Sequence, residues 1–263
     1  MRILSVDAAG KGLSLAVVDY DLVGGLRVLA YGGINAGLTH SQRLLPLLDS
    51  LMSGAGVELG SLEAVAVVNG PGSFTGLRIG LATAKGLAWG LGLPVAAIST
   101  LEAAAYNAYA PGLGEDTLLC PVLDARRGEV YCALYKAGEA GQTGIEELWP
   151  AMALAPGELA GRLAEVLAEE NRPGAYRRVI LAGDACELIY EEMREQLARR
   201  VLLAAPERRF FNAAGCAMAA GRLLAAGKGK PPAEVGAFYL RASEAERNRL
   251  AKLAAAQGEA EKK

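Results

Sequence analysis

The sequence predicts a duplicated, two-lobed α/β fold, and three observations lead there. Each half opens with three strand-like runs joined by glycine turns. Each half then alternates helical with strand-like periods. The same short motif, a strand ending in Asp, a glycine turn and a return strand, also stands at the head of both halves.

In the first half the strand candidates lie near residues 2–6, 13–19 and 26–32, separated by Gly10-Lys11-Gly12 and Gly24-Gly25. A helix is expected from about Ser41, with Leu44, Leu45, Leu47, Leu48, Leu51 and Met52 supplying more apolar surface than one core-facing stripe needs. Pro46 should kink that helix or confine it to its first turns. A buried-type strand at Ala64–Val68 follows, then a helix from Ser73, a strand at Pro94–Ile98 and a helix from Ser99. The linker-like Pro111-Gly112-Leu113-Gly114 joins the halves. The second half repeats the order: strands near 117–123, 129–136 and 145–149, a helix near 157–169 and a strand at Val179–Ala182. A helix from Asp184, a strand near Val201–Ala204 and a helix from about Asn212 complete it. A three-strand meander followed by alternating helix and strand, twice over, is the plan of the duplicated actin-like ATPase (ASKHA, RNase H-like) fold. It divides the chain into an N-terminal lobe at 1–112, a C-terminal lobe at 113–241 and a charged tail at 242–263.

Composition narrows the function classes. With 52% hydrophobic and 21% charged residues, the chain has no signature of bulk disorder. A net charge of −2 argues against a protein that grips nucleic acid alone, because phosphate contacts call for a basic stripe. The arginine pairs at 126–127, 177–178, 199–200 and 208–209 are mostly ringed by acidic residues and read as solvated surface. Four cysteines form no CxxC and there is a single histidine, so no zinc cluster or paired-histidine metal site can be built. Apolar stretches are broken before bilayer length, and no signal peptide is expected ahead of the strand-like Ile3-Leu4-Ser5-Val6. A reducing cytoplasm with buried free thiols is the expected setting.

Two roles are open to the strand-end aspartates, Asp7 and Asp124. They could face each other across an interlobe cleft that holds a metal and nucleotide phosphates, with Arg126 nearby, or they could cap their turns through backbone amides. Ala8-Ala9 supply no side-chain donor to a phosphate, which argues against an intact site. The turn Gly70-Pro71-Gly72 leads to a helix that Ser73 or Thr75 can cap, and a helix N-terminus is a ready anion site. Its spacing matches neither a P-loop nor the dinucleotide fingerprint. The helix behind it carries Gly76, Gly80, Gly86 and Gly90, at about 1 kcal/mol each relative to Ala. Gly76, Gly80, Thr83, Leu87 and Gly90 fall on one side, and a stripe of small residues lets another backbone approach. Together with the surplus leucines of the preceding helix, this points to a four-helix interface with a second copy or a related subunit. His40 reads as a capping or packing residue, having no second histidine or carboxylate partner in sequence.

These residues carry a resemblance. Gly70-Pro71-Gly72-Ser73-Phe74-Thr75-Gly76-Leu77-Arg78-Ile79-Gly80, with Ala84-Lys85-Gly86-Leu87-Ala88, resembles the signature of the bacterial TsaB (YeaZ) family. So do His40-Ser41-Gln42-Arg43-Leu44-Leu45-Pro46, Ser99-Thr100-Leu101-Glu102, the run from Asp124 to Tyr131, and Tyr239-Leu240-Arg241. Residues 1 to about 241 are covered. The resemblance implies a non-catalytic partner in making threonylcarbamoyladenosine beside the anticodon of tRNAs that read codons starting with A. In that family the transfer belongs to the related subunit TsaD, whose metal is held by paired histidines, and the ATPase TsaE docks on the heterodimer. TsaB pairs with TsaD and with itself through the two N-lobe helices, which puts His40, Arg43, Leu44, Leu47, Leu51, Gly76, Ile79, Gly80, Thr83 and Leu87 at the interface. Asp7, Gly70, Gly72, Ser73, Asp124 and Arg126 would then line a vestigial cleft. ATP or ADP with Mg would bind only in the complex, tRNA would be met through it, and no membrane is involved. The family usually has Thr or Ser where this chain has Ala8, which weakens independent nucleotide binding further. The alternatives are an autonomous ATPase or kinase of the same fold, which needs phosphate-turn hydroxyls, and a metallopeptidase, which needs more than one histidine.

Overall fold

A computed structural model describes residues 1–23, 25–35, 39–110, 112–138, 144–168, 175–210 and 212–241. Gly24 and Pro111, Glu169 at the end of the expected fourth helix, and the tail from residue 242 lie outside the described residues. The first half contains β1 (Arg2–Asp7), β2 (Leu13–Asp21), β3 (Gly25–Ile34), α1 (His40–Ala55), β4 (Ala64–Gly70), α2 (Phe74–Leu91), β5 (Val95–Ser99) and α3 (Thr100–Ala108). The second contains β6 (Thr117–Asp124), β7 (Val130–Ala137), β8 (Ile145–Leu154), α4 (Pro156–Ala168), β9 (Arg178–Ala182), α5 (Cys186–Leu197), β10 (Val201–Leu203) and α6 (Ala213–Ala225).

Two five-stranded sheets result, ordered β3-β2-β1-β4-β5 and β8-β7-β6-β9-β10. In each, the meander pairs are antiparallel and the last two pairings are parallel. The two halves therefore share one topology, as the repeated grammar predicts. The central strands are unbroken apolar runs because both faces are covered: Ile3, Leu4 and Val6 are fully buried, as are Val65 and Val67. One face of the first sheet packs Leu4, Val6 and Val67 against Leu44 and Leu48 of α1 and Leu81, Ala84 and Ala88 of α2. On its other face Ile3, Ala16 and Ala66 meet Cys216, Ala217 and Ala220 of α6. The second sheet is covered by α4 and α5 through Leu159, Leu163 and Ile189, and on its inner face by Leu101 and Ala105 of α3.

That arrangement corrects the expected boundary of the C-terminal lobe. The second lobe does not run to residue 241, because α6 returns to the first sheet. Its small residues make this possible. A Cβ on Gly215 would overlap the Ala103 carbonyl of α3, and one on Gly221 would overlap the Tyr20 ring of β2. The segment after α6 stays on the first lobe, where Lys230 and Val95 exchange backbone hydrogen bonds of 2.8 and 2.9 Å. The helices α3 and α6 thus sit back to back between the sheets. Pro46 does not shorten α1, which continues to Ala55 with the proline on its exposed side.

Candidate functional site

The first aspartate turn is buried. Asp7, 1% exposed, accepts from the amides of Ala9 at 3.0 Å and Asn212 at 3.1 Å. Ser14 Oγ accepts from the next amide, Ala213, at 3.2 Å. Two side chains of β1 and β2 thereby satisfy the first amides of α6, groups that a helix leaves without intrahelical partners. Burial pushes the Asp7 carboxyl above its usual value, opposed by the two amides and by nearby His40. His40 opens α1 at 5% exposure, with Nε2 3.1 Å from the Gly10 carbonyl, a contact that requires the proton on Nε2. The single histidine holds the turn.

The glycine motif packs on that same turn. Ser73 N–H donates to the Ala9 carbonyl at 2.7 Å, and Ser73 Oγ caps α2 by accepting from Gly76 N–H at 3.3 Å. A Cβ on Gly72 would stand 2.6 Å from the Ala9 carbonyl oxygen, and one on Gly76 would overlap that of Ala8. One on Gly80 would press the Ala8 Cβ at 3.2 Å. Gly70, at φ +127°, has the Phe238 carbonyl where a side chain would go.

These contacts correct the sequence reading of the interface. Gly76 and Gly80 face the interior of their own lobe, and Leu44 and His40 are buried as well. The small-residue stripe lies on the border of the buried arc, so its two N-terminal members turn inward. A side chain at Gly80 would therefore meet Ala8 inside the lobe before it met any partner. Of the remaining expected interface residues, Arg43 is exposed and Leu47, Leu51, Ile79, Thr83 and Leu87 are half-buried. Leu47 and Leu51 pack partly on Gly32 of β3. The solvent face of α2 is instead Thr75, Arg78, Ala82, Gly86, Trp89 and Gly90, with Phe74 exposed at its start and Trp89 72% exposed. A Cβ at Gly86 or Gly90 would meet nothing within 4 Å.

Between the lobes lies a cleft of about 250 Å³. Gly10, Lys11, Gly72, Ser73 and Phe74 line it from the first lobe, and Asp124, Arg126, Tyr131 and Asp184 from the second. Asp124 is exposed to the cleft, whereas Asp7 is turned away from it, so of the two roles open to the aspartates the structure shows turn capping at both and no facing pair. The reason is α6, whose first amide draws Asp7 into the core. Asp124 accepts from Arg126 N–H at 2.7 Å, and its own amide donates to Asp184 at 2.9 Å. Arg126 and Arg127 adopt φ of 63° and 59°, the left-handed region that disfavours side chains.

The residues present do not fit a nucleotide triphosphate. The Ser73 amide is consumed by Ala9, no hydroxyl stands at positions 8 or 9, and the cleft is smaller than the roughly 300–1,000 Å³ of ordinary ligand pockets. Among the described residues no three His, Cys, Asp or Glu side chains are grouped to hold a metal. The four free cysteines are buried, which raises their thiols, Cys186 to about 11 and Cys132 to about 12. Among the described residues no helix is long and apolar enough to cross a membrane.

Sequence reasoning missed Lys11, Tyr131 and Asp184 in the cleft and Ser14 and Asn212 behind it. Asp184 had a signal. Gly70 ends β4 and Gly183 follows the equivalent β9, so a glycine closing the matching strand of each half marks the turn that carries Asp184.

Residues 28–198 match the family model described as TsaD: tRNA N6-adenosine threonylcarbamoyltransferase. The chain is 38% identical over 136 residues to the tRNA threonylcarbamoyladenosine biosynthesis protein TsaB of Bacillus subtilis, covering 52% of this chain and 56% of that one. It is 37% identical over 146 residues to the protein of the same name from Escherichia coli, covering 54% and 58%. These matches span little more than half the length of the curated relatives. Among solved structures, YeaZ from Pseudomonas aeruginosa superposes with a TM-score of 0.68 at 29% identity, over 91% of this chain and 99% of that one.

Proposed function

We propose, on the premise that this chain belongs to the TsaB (YeaZ) family and to the wider TsaD family it matches, that it is an accessory subunit in threonylcarbamoyladenosine synthesis on tRNA. On this reading it pairs with the transferase TsaD, and with a second copy of itself, through the outer faces of α1 and α2. TsaE docks on the heterodimer, and tRNA, ATP and Mg are bound by the complex. The cytoplasm is the expected compartment for a tRNA substrate.

The observation that carries the reading is the solvent face of α2. Gly86 and Gly90 each weaken the helix by about 1 kcal/mol relative to Ala. Among the described residues no packing requires their missing side chains. Trp89 on the same helix is 72% exposed, and Leu45 on α1 is 56% exposed. Small residues flanked by exposed large apolar ones suit the close approach of another helix. The cleft supports an accessory role from the other side. The Ser73 amide, and both oxygens of Asp7 in the turn behind the cleft, are already engaged in holding the fold.

Reconstitution tests this. Threonylcarbamoylation of tRNA is measured with TsaD and TsaE, with and without the chain, and with its Gly86→Leu variant. The chain alone should modify nothing, and omitting it should slow the reaction at least about tenfold. Gly86→Leu should lose co-purification with TsaD while its Tm stays near that of the wild type. Modification by the isolated chain, or undiminished co-purification of the variant, overturns the reading.

A further inference from the structure

We propose that Val235–Arg241 is an interlobe latch, anchored to the first lobe and released from the second by breaking one ion pair. The anchoring end is dense. Lys85 Nζ donates to the Val235 carbonyl at 2.8 Å, Asn69 Nδ2 to the Gly236 carbonyl at 3.3 Å, and Phe238 N–H to the Asn69 carbonyl at 2.7 Å. The Phe238 carbonyl fills the space that Gly70 leaves by lacking a side chain. Tyr239 then lies on Phe74, ring centroids 5.3 Å apart, and Arg78 sits 3.7 Å over the same Phe74 ring. The Phe238–Asn69 backbone hydrogen bond and the glycine-dependent close approach are not released by a change of charge or salt.

The far end is different in kind. Arg241 Nη2 pairs with Glu129 Oε2, in the turn between β6 and β7. Both side chains are partly exposed, at 25% and 34%, so salt screens the pair more than a buried one. Phe74 and Arg126 line the cleft on opposite lobes. The segment therefore bridges the two walls of the cleft, from the residue stacked on Phe74 to the turn that carries Arg126. While Arg241 holds Glu129 the second turn is fixed relative to α2. When the pair breaks, the turn at Glu129 loses this tie to the strap, while the strap stays on the first lobe and the packing of α3 on α6 still joins the lobes.

Charge reversal tests the latch in the full chain. Spin labels at Ser53→Cys and Glu165→Cys, exposed sites on α1 and α4, read the interlobe distance, and the buried native thiols leave these sites selectively reactive. Arg241→Glu should broaden the distance distribution and speed amide exchange in residues 124–131 by about tenfold, with exchange in β1 and β4 unchanged. Adding Glu129→Arg to that variant should restore both readouts. Unchanged distances in Arg241→Glu, no recovery in the double variant, or acceleration that extends equally into β1 and β4 would overturn the proposal.

Discussion

Asp7 and Asp124 end equivalent strands of equivalent sheets, and each accepts a hydrogen bond from the amide two residues on, Ala9 in one half and Arg126 in the other. Beyond that bond the turns differ in almost every contact. Asp7 is buried, spends its second oxygen on Asn212 of the last helix, and lies under a turn roofed by Gly72, Gly76 and Gly80. Asp124 is open to the cleft, and beyond Ala125 come two arginines in left-handed conformation. In a duplicated fold the same motif is thus used once as an internal tie between distant segments and once as a surface feature. Stability is concentrated in the first turn, which leaves the second free to carry charge into the cleft.

The largest expected contrast comes from removing each carboxylate. Asp7→Ala strands two buried amides and should destabilise the chain by about 3–5 kcal/mol, whereas Asp124→Ala should fall within about 1 kcal/mol. Urea unfolding of both variants measures this, and equal losses would erase the distinction. The comparison also has a pH signature. Because burial raises the Asp7 value, the native state holds that proton more tightly than the unfolded chain does. The contribution of Asp7 to stability should therefore be full below the ordinary carboxylate range and be lost as pH rises through the raised value. Asp7→Asn should abolish that loss. The next largest effect is Gly76→Ala, whose methyl would meet the Ala8 carbonyl and should lower stability by about 1–3 kcal/mol. Gly128→Ala tests the second turn from the opposite environment, since a side chain there meets open space and only its φ of 75° resists it.

How much of this was legible in the sequence follows from which interactions are local. Strand and helix positions could be read because Leu13–Val18 alternates, the leucines after Ser41 recur at helical spacing, and Gly10, Gly25 and Gly128 punctuate them. The return of α6 to the first sheet could not. Its Ala- and Gly-rich face suits either sheet, and the choice is made by contacts with Ala103 and Tyr20 far away in sequence. The glycines of α2 announced a close approach, but a residue without a side chain gives no hydropathic signal of its direction. Gly76 and Gly80 approach Ala8 while Gly86 and Gly90 face solvent. Asp7 and Asp124 share one local grammar, and their difference is set by Asn212, 205 residues beyond Asp7. That information lies in the tertiary fold.

The smallest effect is also the most discriminating, because its sign should reverse between the turns. Ala9 and Arg126 occupy the same place, two residues after the aspartate. Ala9 is 2% exposed, and its backbone is not among the described residues at positive φ. Replacing it by Gly removes a buried methyl and loosens the unfolded chain, so Ala9→Gly should destabilise by about 1–2 kcal/mol. Arg126 sits at φ 63°, where a side chain adds about 1–2 kcal/mol of steric strain that Gly lacks. Glycine's extra unfolded-state entropy returns roughly 0.4–1 kcal/mol of that. Arg126→Gly should therefore leave the chain about 0.5 kcal/mol more stable. A loss in both variants would mean that the second turn, like the first, is held by packing. Opposite signs would mean that the second turn carries backbone strain at Arg126 that the first turn lacks.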